Sequence, residues 1–163
     1  MVVLRELRVE DLEPWFRILS QPLVFEHTSW DLASSDDLRT YVQTPQTPTS
    51  AVRFALVHSD DGTLIGTAGF HTVQPINRTA EIAYDLDPAV WGRGIARAAC
   101  ESLVRWAFEH VGLVRVQATT LLGNTRSQRV LETCGFEREG LLRRYRMVRG
   151  TPGDFWMYSR LRD

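Results

Sequence analysis

The chain of 163 residues contains no lysine; all 19 of its basic side chains are arginine, set against 20 acidic ones. Chemistries that need an amine side chain are thereby excluded. There can be no Schiff-base lysine and no pyridoxal-phosphate anchor, and neither a P-loop lysine nor a Ser-x-x-Lys nucleophile is available. Cysteine is nearly absent: Cys100 and Cys134 are the only two. Two are too few for a disulfide framework and suit reduced, buried thiols in a cytoplasmic protein. These cysteines and the scattered His27, His58, His71 and His110 show no zinc-ligand spacing, so no metal is expected. No apolar run approaches the roughly 18 residues of a membrane span. The opening Met1-Val2-Val3-Leu4-Arg5-Glu6 also lacks the basic-then-apolar layout of a signal peptide. A cytoplasmic location is the expectation.

What is present is ordinary in bulk and uneven in distribution. A hydrophobic fraction of 44% and a charged fraction of 24% fit a soluble globular protein. The length fits a single domain, residues 1–163, with a real core. The net charge of −1 hides an asymmetry: residues 1–87 carry 13 acids and 6 arginines, whereas residues 88–163 carry 7 acids and 13 arginines.

Hydrophobic periodicity sorts the chain into strands and helices. Residues 2–8 alternate as a strand, and residues 11–20 read as an amphipathic helix with Pro14 in its first turn. Ser34, Ser35, Asp36 and Asp37 offer helix caps ahead of Leu38, Tyr41 and Val42. Residues 44–50 form a loop with two prolines. Residues 51–58 and 63–73 make a hairpin through the turn at 59–62, and residues 79–86 form a further strand stopped by Pro88. A long helix is predicted over residues 92–110, with Ile95, Ala99, Leu103 and Ala107 on one face and a ladder of Arg97, Glu101, Arg105 and Glu109 on another. Residues 113–121 read as strand, and 124–134 as a helix ended by Gly135. Residues 136–139 and 143–148 read as strand bent near Gly140, and 155–161 as the last strand. The class is α+β.

One segment carries chemistry. Trp91-Gly92-Arg93-Gly94-Ile95-Ala96-Arg97 follows a strand and opens a helix. Its glycines permit close backbone approach, and the free N–H groups of a first helical turn form an anion site. Arg93 and Arg97 can add charge-assisted hydrogen bonds. The physical reading is a pyrophosphate cradle. A dinucleotide-binding fingerprint is the nearest rival, but Arg97 stands where its third glycine would be and the segment lies mid-chain. A helix start that merely needs small residues for packing is the plainer alternative.

The stretch from Ala80-Glu81-Ile82-Ala83-Tyr84-Asp85-Leu86 through Trp91-Gly92-Arg93-Gly94-Ile95-Ala96 resembles the cofactor motif of the GNAT superfamily of N-acetyltransferases. Its wording is similar to the RimJ/RimL branch. A second segment, from Asn124-Thr125-Arg126-Ser127 to Gly135-Phe136 and Gly140, is similar to that branch's Asn-x-x-Ser and Gly-Phe segment, and Arg149-Gly150, Asp154 and Tyr158-Ser159 resemble its ending. Together they cover roughly the C-terminal half.

The resemblance implies a mixed, mostly antiparallel, twisted sheet of about seven strands, splayed between the fourth and fifth and flanked by about four helices. It implies acetyl-CoA as co-substrate, with pantetheine held by the fourth strand near Tyr84 and Leu86 and pyrophosphate on Trp91, Gly92, Arg93, Gly94, Ile95, Ala96 and Arg97. The implied reaction is direct attack of a primary amine, on a small molecule or a protein N-terminus, on the thioester in a ternary complex. Ser127 becomes the candidate hydrogen-bond donor to the leaving sulfur; the alternative is a serine satisfied by its own helix. Asn124 caps its helix or touches the pantetheine. Glu81 is the candidate base, or else a carboxylate paired with an arginine, with His71 and Asp85 as fallback bases. His27 and Glu26 fall in the loop that family members use for the acceptor, or are ordinary surface residues. Cys134, Trp15, Trp30, Trp106 and Trp156 read as packing.

A non-catalytic acyl-CoA-binding sensor of the same fold is the alternative function, and a nucleotide- or phosphate-binding domain a further one. Direct nucleic-acid binding is disfavoured, since the arginines are spread among acids. The acidic N-terminal half suits a cationic acceptor, and related enzymes make a homodimer an expected partner.

Overall fold

The computed structural model describes residues 1–45, 47 and 50–163. Its elements are β1 (Val2–Glu6), α1 (Leu12–Ser20), α2 (Pro22–Phe25), α3 (Thr40–Gln43), β2 (Val52–His58), β3 (Leu64–Gln74), β4 (Thr79–Leu86), α4 (Ile95–Trp106), β5 (Arg115–Leu121), α5 (Thr125–Thr133), β6 (Glu137–Val148) and β7 (Thr151–Leu161). The strands form one seven-stranded sheet in the order β1-β2-β3-β4-β5-β7-β6. Every neighbouring pair is antiparallel except β4 and β5.

That parallel pair is the feature that makes the site. It joins only through Thr79, Ala80 and Glu81, opposite Arg115, Val116 and Gln117. Beyond them β4 keeps β3 on one side through Leu86, and among the described residues no strand pairs with its other edge. The sheet therefore splays between its fourth and fifth strands, and the backbone of residues 82–86 faces an open wedge.

The period-two alternation of the strands divides the core between the two faces. On β2, Leu56 points to one face, toward Ala99, Cys100, Leu103 and Val104 of α4 and Leu131 of α5. Its neighbours Ala55 and Val57 point to the other, toward Leu12, Trp15, Ile18 and Leu19 of α1. In α1 the spacing of those four residues is helical, and each is less than a tenth exposed.

Several expected boundaries shift for local reasons. β1 ends at Glu6 because Asp11 draws the chain into a turn, accepting the Arg8 N–H at 2.8 Å and a fork from Arg5 at 2.6 and 2.8 Å. The long helix begins at Ile95 rather than Gly92, since Gly92 and Gly94 take left-handed φ of 77° and 74° that no helix accommodates. It closes through a wide turn over Ala107–Val111, capped by Gly112. β7 starts four residues earlier than expected, at Thr151. Pro152 is tolerated there because β5 reaches only Phe155, so that edge of β7 carries no partner. The short α2, with Pro22 at its first position, has no counterpart in the expected order. Within the expected loop at 44–50, residues 46, 48 and 49 lie outside the described residues.

Candidate active site

A cleft of about 400 Å³ fills the wedge between β4 and α5. One wall is the cradle. Asp87 caps the short turn Pro88–Val90 by accepting the Ala89 N–H at 2.9 Å, and the Trp91 N–H donates to Pro88 O at 3.1 Å. The indole Nε1–H of Trp91 donates to Leu86 O at 3.0 Å, which ties the loop to the end of β4. The two left-handed glycines then turn the chain into α4. A Cβ built on Gly92 or Gly94 meets no atom within 4 Å, so both face open space. The first helical hydrogen bond runs from the Ala98 N–H to Gly94 O. The N–H groups of Ile95, Ala96 and Arg97 thus lie ahead of it, free for an anion. This is a cradle that fits the pyrophosphate of a coenzyme.

Of the residues expected there, Trp91, Gly92, Gly94, Ile95, Ala96 and Arg97 line the cleft, as do Tyr84, Leu86, Asn124 and Ser127. Arg93 does not line it. Arg97 lines it, but its Nε donates to Glu101 at 2.9 Å, so the helical ladder holds part of its guanidinium. Arg126, which the sequence reading left without a role, lies over the Trp91 ring at 4.1 Å and bridges the two walls.

The opposite wall is the N-terminal turn of α5. Asn124 Oδ1 accepts the Ser127 N–H at 3.2 Å, a helix cap, while its Nδ2–H donates to His27 O at 3.3 Å. Ser127 Oγ lies 2.9 Å from Tyr84 Oη, a hydrogen bond that either hydroxyl can donate. Burial pushes the Tyr84 phenol up, and the bond from Ser127 offsets this only in part. The phenol therefore stays protonated at neutral pH. Sequence reading names Tyr84 for its backbone and misses its hydroxyl; the signal is an aromatic alcohol on a strand face otherwise made of Ala80, Ile82 and Leu86.

A second cavity, of about 520 Å³, opens on the other side of β4. It shares His27, Thr28, Tyr84, Asp85, Asn124 and Ser127 with the first. Glu81 and His71 sit in it, brought together by an irregularity in β3. Pairing runs Phe70 with Ile82 and then Thr72 with Glu81, so His71 is the extra residue of a bulge. Its Nε2 lies 3.0 Å from Glu81 Oε1, and its Nδ1 lies 2.9 Å from Thr72 Oγ1. Thr119 Oγ1–H donates to Glu81 Oε1 at 2.8 Å, and Gln117 Nε2–H to Oε2 at 3.4 Å. Burial alone would raise the Glu81 carboxyl, but His71, Thr119 and Gln117 overcome it and hold the group at about 2. Glu81 is thus ionised throughout the neutral range.

The acids of this cavity are matched by arginines. Asp85 is bonded to buried Arg53, whose Nε also donates to Thr67 Oγ1 at 2.9 Å. Glu81 has Arg146 Nη2 at 3.6 Å. The acidic excess of residues 1–87 is therefore not a negative lining of the cavity. Glu26 lines neither cavity and pairs with His27 at 3.2 Å. Cys134, only 2% exposed, packs between α4 and α5, and its contact with Cys100 together with burial holds the Cys100 thiol up. Among the described residues no cluster of His, Cys, Asp or Glu is placed to hold a metal ion, and no helix is long and apolar enough to cross a membrane.

A splayed sheet whose wedge ends in a helical anion cradle defines an acyl-coenzyme A type of transferase fold. Residues 2–137 match the acetyltransferase (GNAT) domain family, and the chain belongs to it, in the RimJ/RimL-like branch. It is an N-acetyltransferase. A Bacillus licheniformis protein named uncharacterized N-acetyltransferase p20 is 30% identical over 99% of this chain and 93% of its own length. The ribosomal-protein-serine acetyltransferase of Escherichia coli is 31% identical over 69% of this chain and 62% of its own. In fold, spermidine N-acetyltransferase from Vibrio cholerae, solved with CoA and spermine, superposes with a TM-score of 0.84 at 22% identity, covering 98% of this chain and 95% of that one.

Proposed function

We infer that the protein transfers the acetyl group of acetyl-CoA to a primary amine by direct attack in a ternary complex. The observation that carries this reading is the wall common to the two cavities. A thioester entering along the open edge of β4 and an amine entering past Glu81 meet at Tyr84, Asp85, Asn124 and Ser127. Bound acetyl-CoA supplies the activated carbonyl; the remaining work falls to the chain. The N–H groups of residues 95–97 and the left-handed turn hold the diphosphate. A β4 backbone N–H in the open wedge stabilises the negative charge that develops on the carbonyl oxygen. Tyr84 donates to Ser127, and Ser127 to the departing sulfur, so two hydroxyls in series lower the cost of the thiolate.

The attacking amine must first lose a proton. A carboxylate held at about 2 is too weak a base to take it alone. His71, the bulge residue, receives the proton through intervening water, since it stands beside Glu81 and not at the transfer point, and Glu81 orients the ring and balances the charge it gains. The base named from sequence thereby becomes a positioning residue, and its fallback the proton acceptor.

The test is CoA release from purified protein with acetyl-CoA and a panel of amines. Amine-dependent release, lowered by Ser127→Ala and by His71→Gln, is the expected result. Tight acetyl-CoA binding with no amine-dependent release would turn the reading into that of an acyl-CoA sensor.

A further inference from the structure

The transfer chemistry leaves Arg146 without a task. The pairing of β6 with β7 is irregular between Leu142 and Arg146. Arg144 takes a left-handed φ of 49° there, and its N–H donates to Asp154 Oδ1 at 2.7 Å. Arg146 then resumes pairing opposite Gly153, where a Cβ would stand 2.8 Å from Val148 Cγ2 and 3.3 Å from both Arg146 O and the Phe155 ring. The glycine lets the two strands and that ring close up. A bulge of this kind re-aims a side chain, and the Arg146 side chain lines the acceptor cavity. Its guanidinium carbon lies 5.3 Å from the ring centroids of Tyr145 and Phe155.

The guanidinium is positioned but unspent. Glu81 Oε1 is 3.6 Å away, beyond hydrogen-bond reach, and already accepts from Thr119 and faces His71. Among the described residues no hydrogen bond uses the Arg146 side-chain donors. A guanidinium presents five donors in a planar fork that matches a carboxylate. The side chain is 34% exposed, so the cavity shields it in part from water. The fixed charges of the cavity, Arg53 and Arg146 against Glu81 and Asp85, already balance. An acceptor with only positive charges would meet Arg146 with nothing to offer it.

We propose that Arg146 selects an acceptor that bears a carboxylate close to its amine, gripping that carboxylate through two parallel hydrogen bonds. Three strand residues, about 10 Å, separate Glu81 beside Arg146 from Tyr84 at the transfer point. The carboxylate therefore lies within a residue or two of the reacting nitrogen. A free amino acid or a peptide with an acidic second residue supplies this chemistry. The assignment rests on the amine-transfer reading above and narrows it.

The experiment compares matched acceptors for CoA release: L-serine against L-serinamide, and amidated Ser-Asp-Ala against amidated Ser-Asn-Ala, with spermidine as a purely cationic amine. A charge-assisted pair predicts that the acid exceeds its amide in kcat/KM by about 10- to 100-fold, through KM, in one arm or the other. The favoured arm tells the free acid from the peptide. Arg146→Gln should bring that ratio close to one, and Arg146→Glu should shift preference toward spermidine. A ratio near one in both wild-type arms, or a ratio that Arg146→Gln leaves intact, overturns the proposal. CoA affinity and thermal melting report whether each variant is folded; if neither folds, the wild-type ratios decide. Should no amine turn over, the transfer reading fails while the carboxylate grip is judged separately. CoA-loaded protein is titrated with N-acetyl-L-serine against N-acetyl-L-serinamide and with N-acetylated, amidated Ser-Asp-Ala against its Ser-Asn-Ala counterpart, and equal binding within both pairs refutes it.

Discussion

The glycine cradle offers a test in which stability and binding separate. Gly94 has φ of 74°, and a Cβ there meets nothing within 4 Å. Gly94→Val therefore suffers no clash in the protein itself. Its cost is the left-handed backbone, about 1–2 kcal/mol for a residue with a Cβ. For a chain of this size that lowers Tm by about 2–8 °C. The open space that receives the valine is the space a diphosphate needs. Losing two charge-assisted backbone hydrogen bonds, at about 1.5–3 kcal/mol each, weakens CoA by roughly 10²- to 10⁴-fold. Gly62 supplies a matched control. It too has a left-handed φ, 73°, and open space, but sits in the turn between β2 and β3. Gly62→Val should lower Tm by a similar amount and leave CoA affinity as it is. Calorimetric titration with CoA and a thermal melt on both variants suffice. If Gly94→Val binds CoA within threefold of wild type, the cradle assignment is wrong. If Gly62→Val loses CoA affinity equally, the loss comes from backbone strain and not from the cleft.

Three further outcomes follow from the site. Tyr84→Phe and Ser127→Ala should each lower kcat by about 10²-fold, and the double variant should do little worse, because the two hydroxyls act in series; additive losses in kcat would show that they act apart. The folded-state carboxyl of Glu81 titrates at about 2, below its ordinary 4.5, so its contribution is present above about 4.5 and is lost as pH falls toward 2. Integrated over that window it amounts to about 3 kcal/mol, and Glu81→Gln should flatten the acid limb of a stability-against-pH curve; an unchanged limb contradicts the His71 and Thr119 contacts. Asp85→Asn removes the carboxylate bonded to buried Arg53, and denaturant unfolding should show a loss of about 3–5 kcal/mol, whereas a loss under about 1 kcal/mol would mean that water reaches the pair.

The features legible in the sequence are those made by neighbours along the chain. The cradle is seven consecutive residues, and Asn124 caps a helix whose Ser127 N–H lies three residues on. Strand alternation was enough to number β4 and β5, and the family resemblance placed the splay between them. The features that were not legible depend on which strand residue meets which. Nothing local aligns Tyr84 with Ser127, 43 residues away. Nothing local says that His71 is the odd residue of a bulge and so stands over Glu81. Charge counting misled for the same reason. It located acids in the first half of the chain, but pairing across the fold gives Asp85 to Arg53 and turns Arg146, from the basic half, toward Glu81.

The family motif, the seven strands and the glycine turn that opens α4 are legible along the chain, because each is written in residue types at fixed short spacings that backbone geometry converts directly into shape. The tertiary structure alone decided how the chemistry is distributed. The parting of β4 from β5 after Glu81 opens the cleft. Register then sets Tyr84 against Ser127, His71 against Glu81, and Arg146 on the lining of the second cavity. Those pairings are long-range contacts, and their geometry is settled only when strands far apart in the chain find their partners.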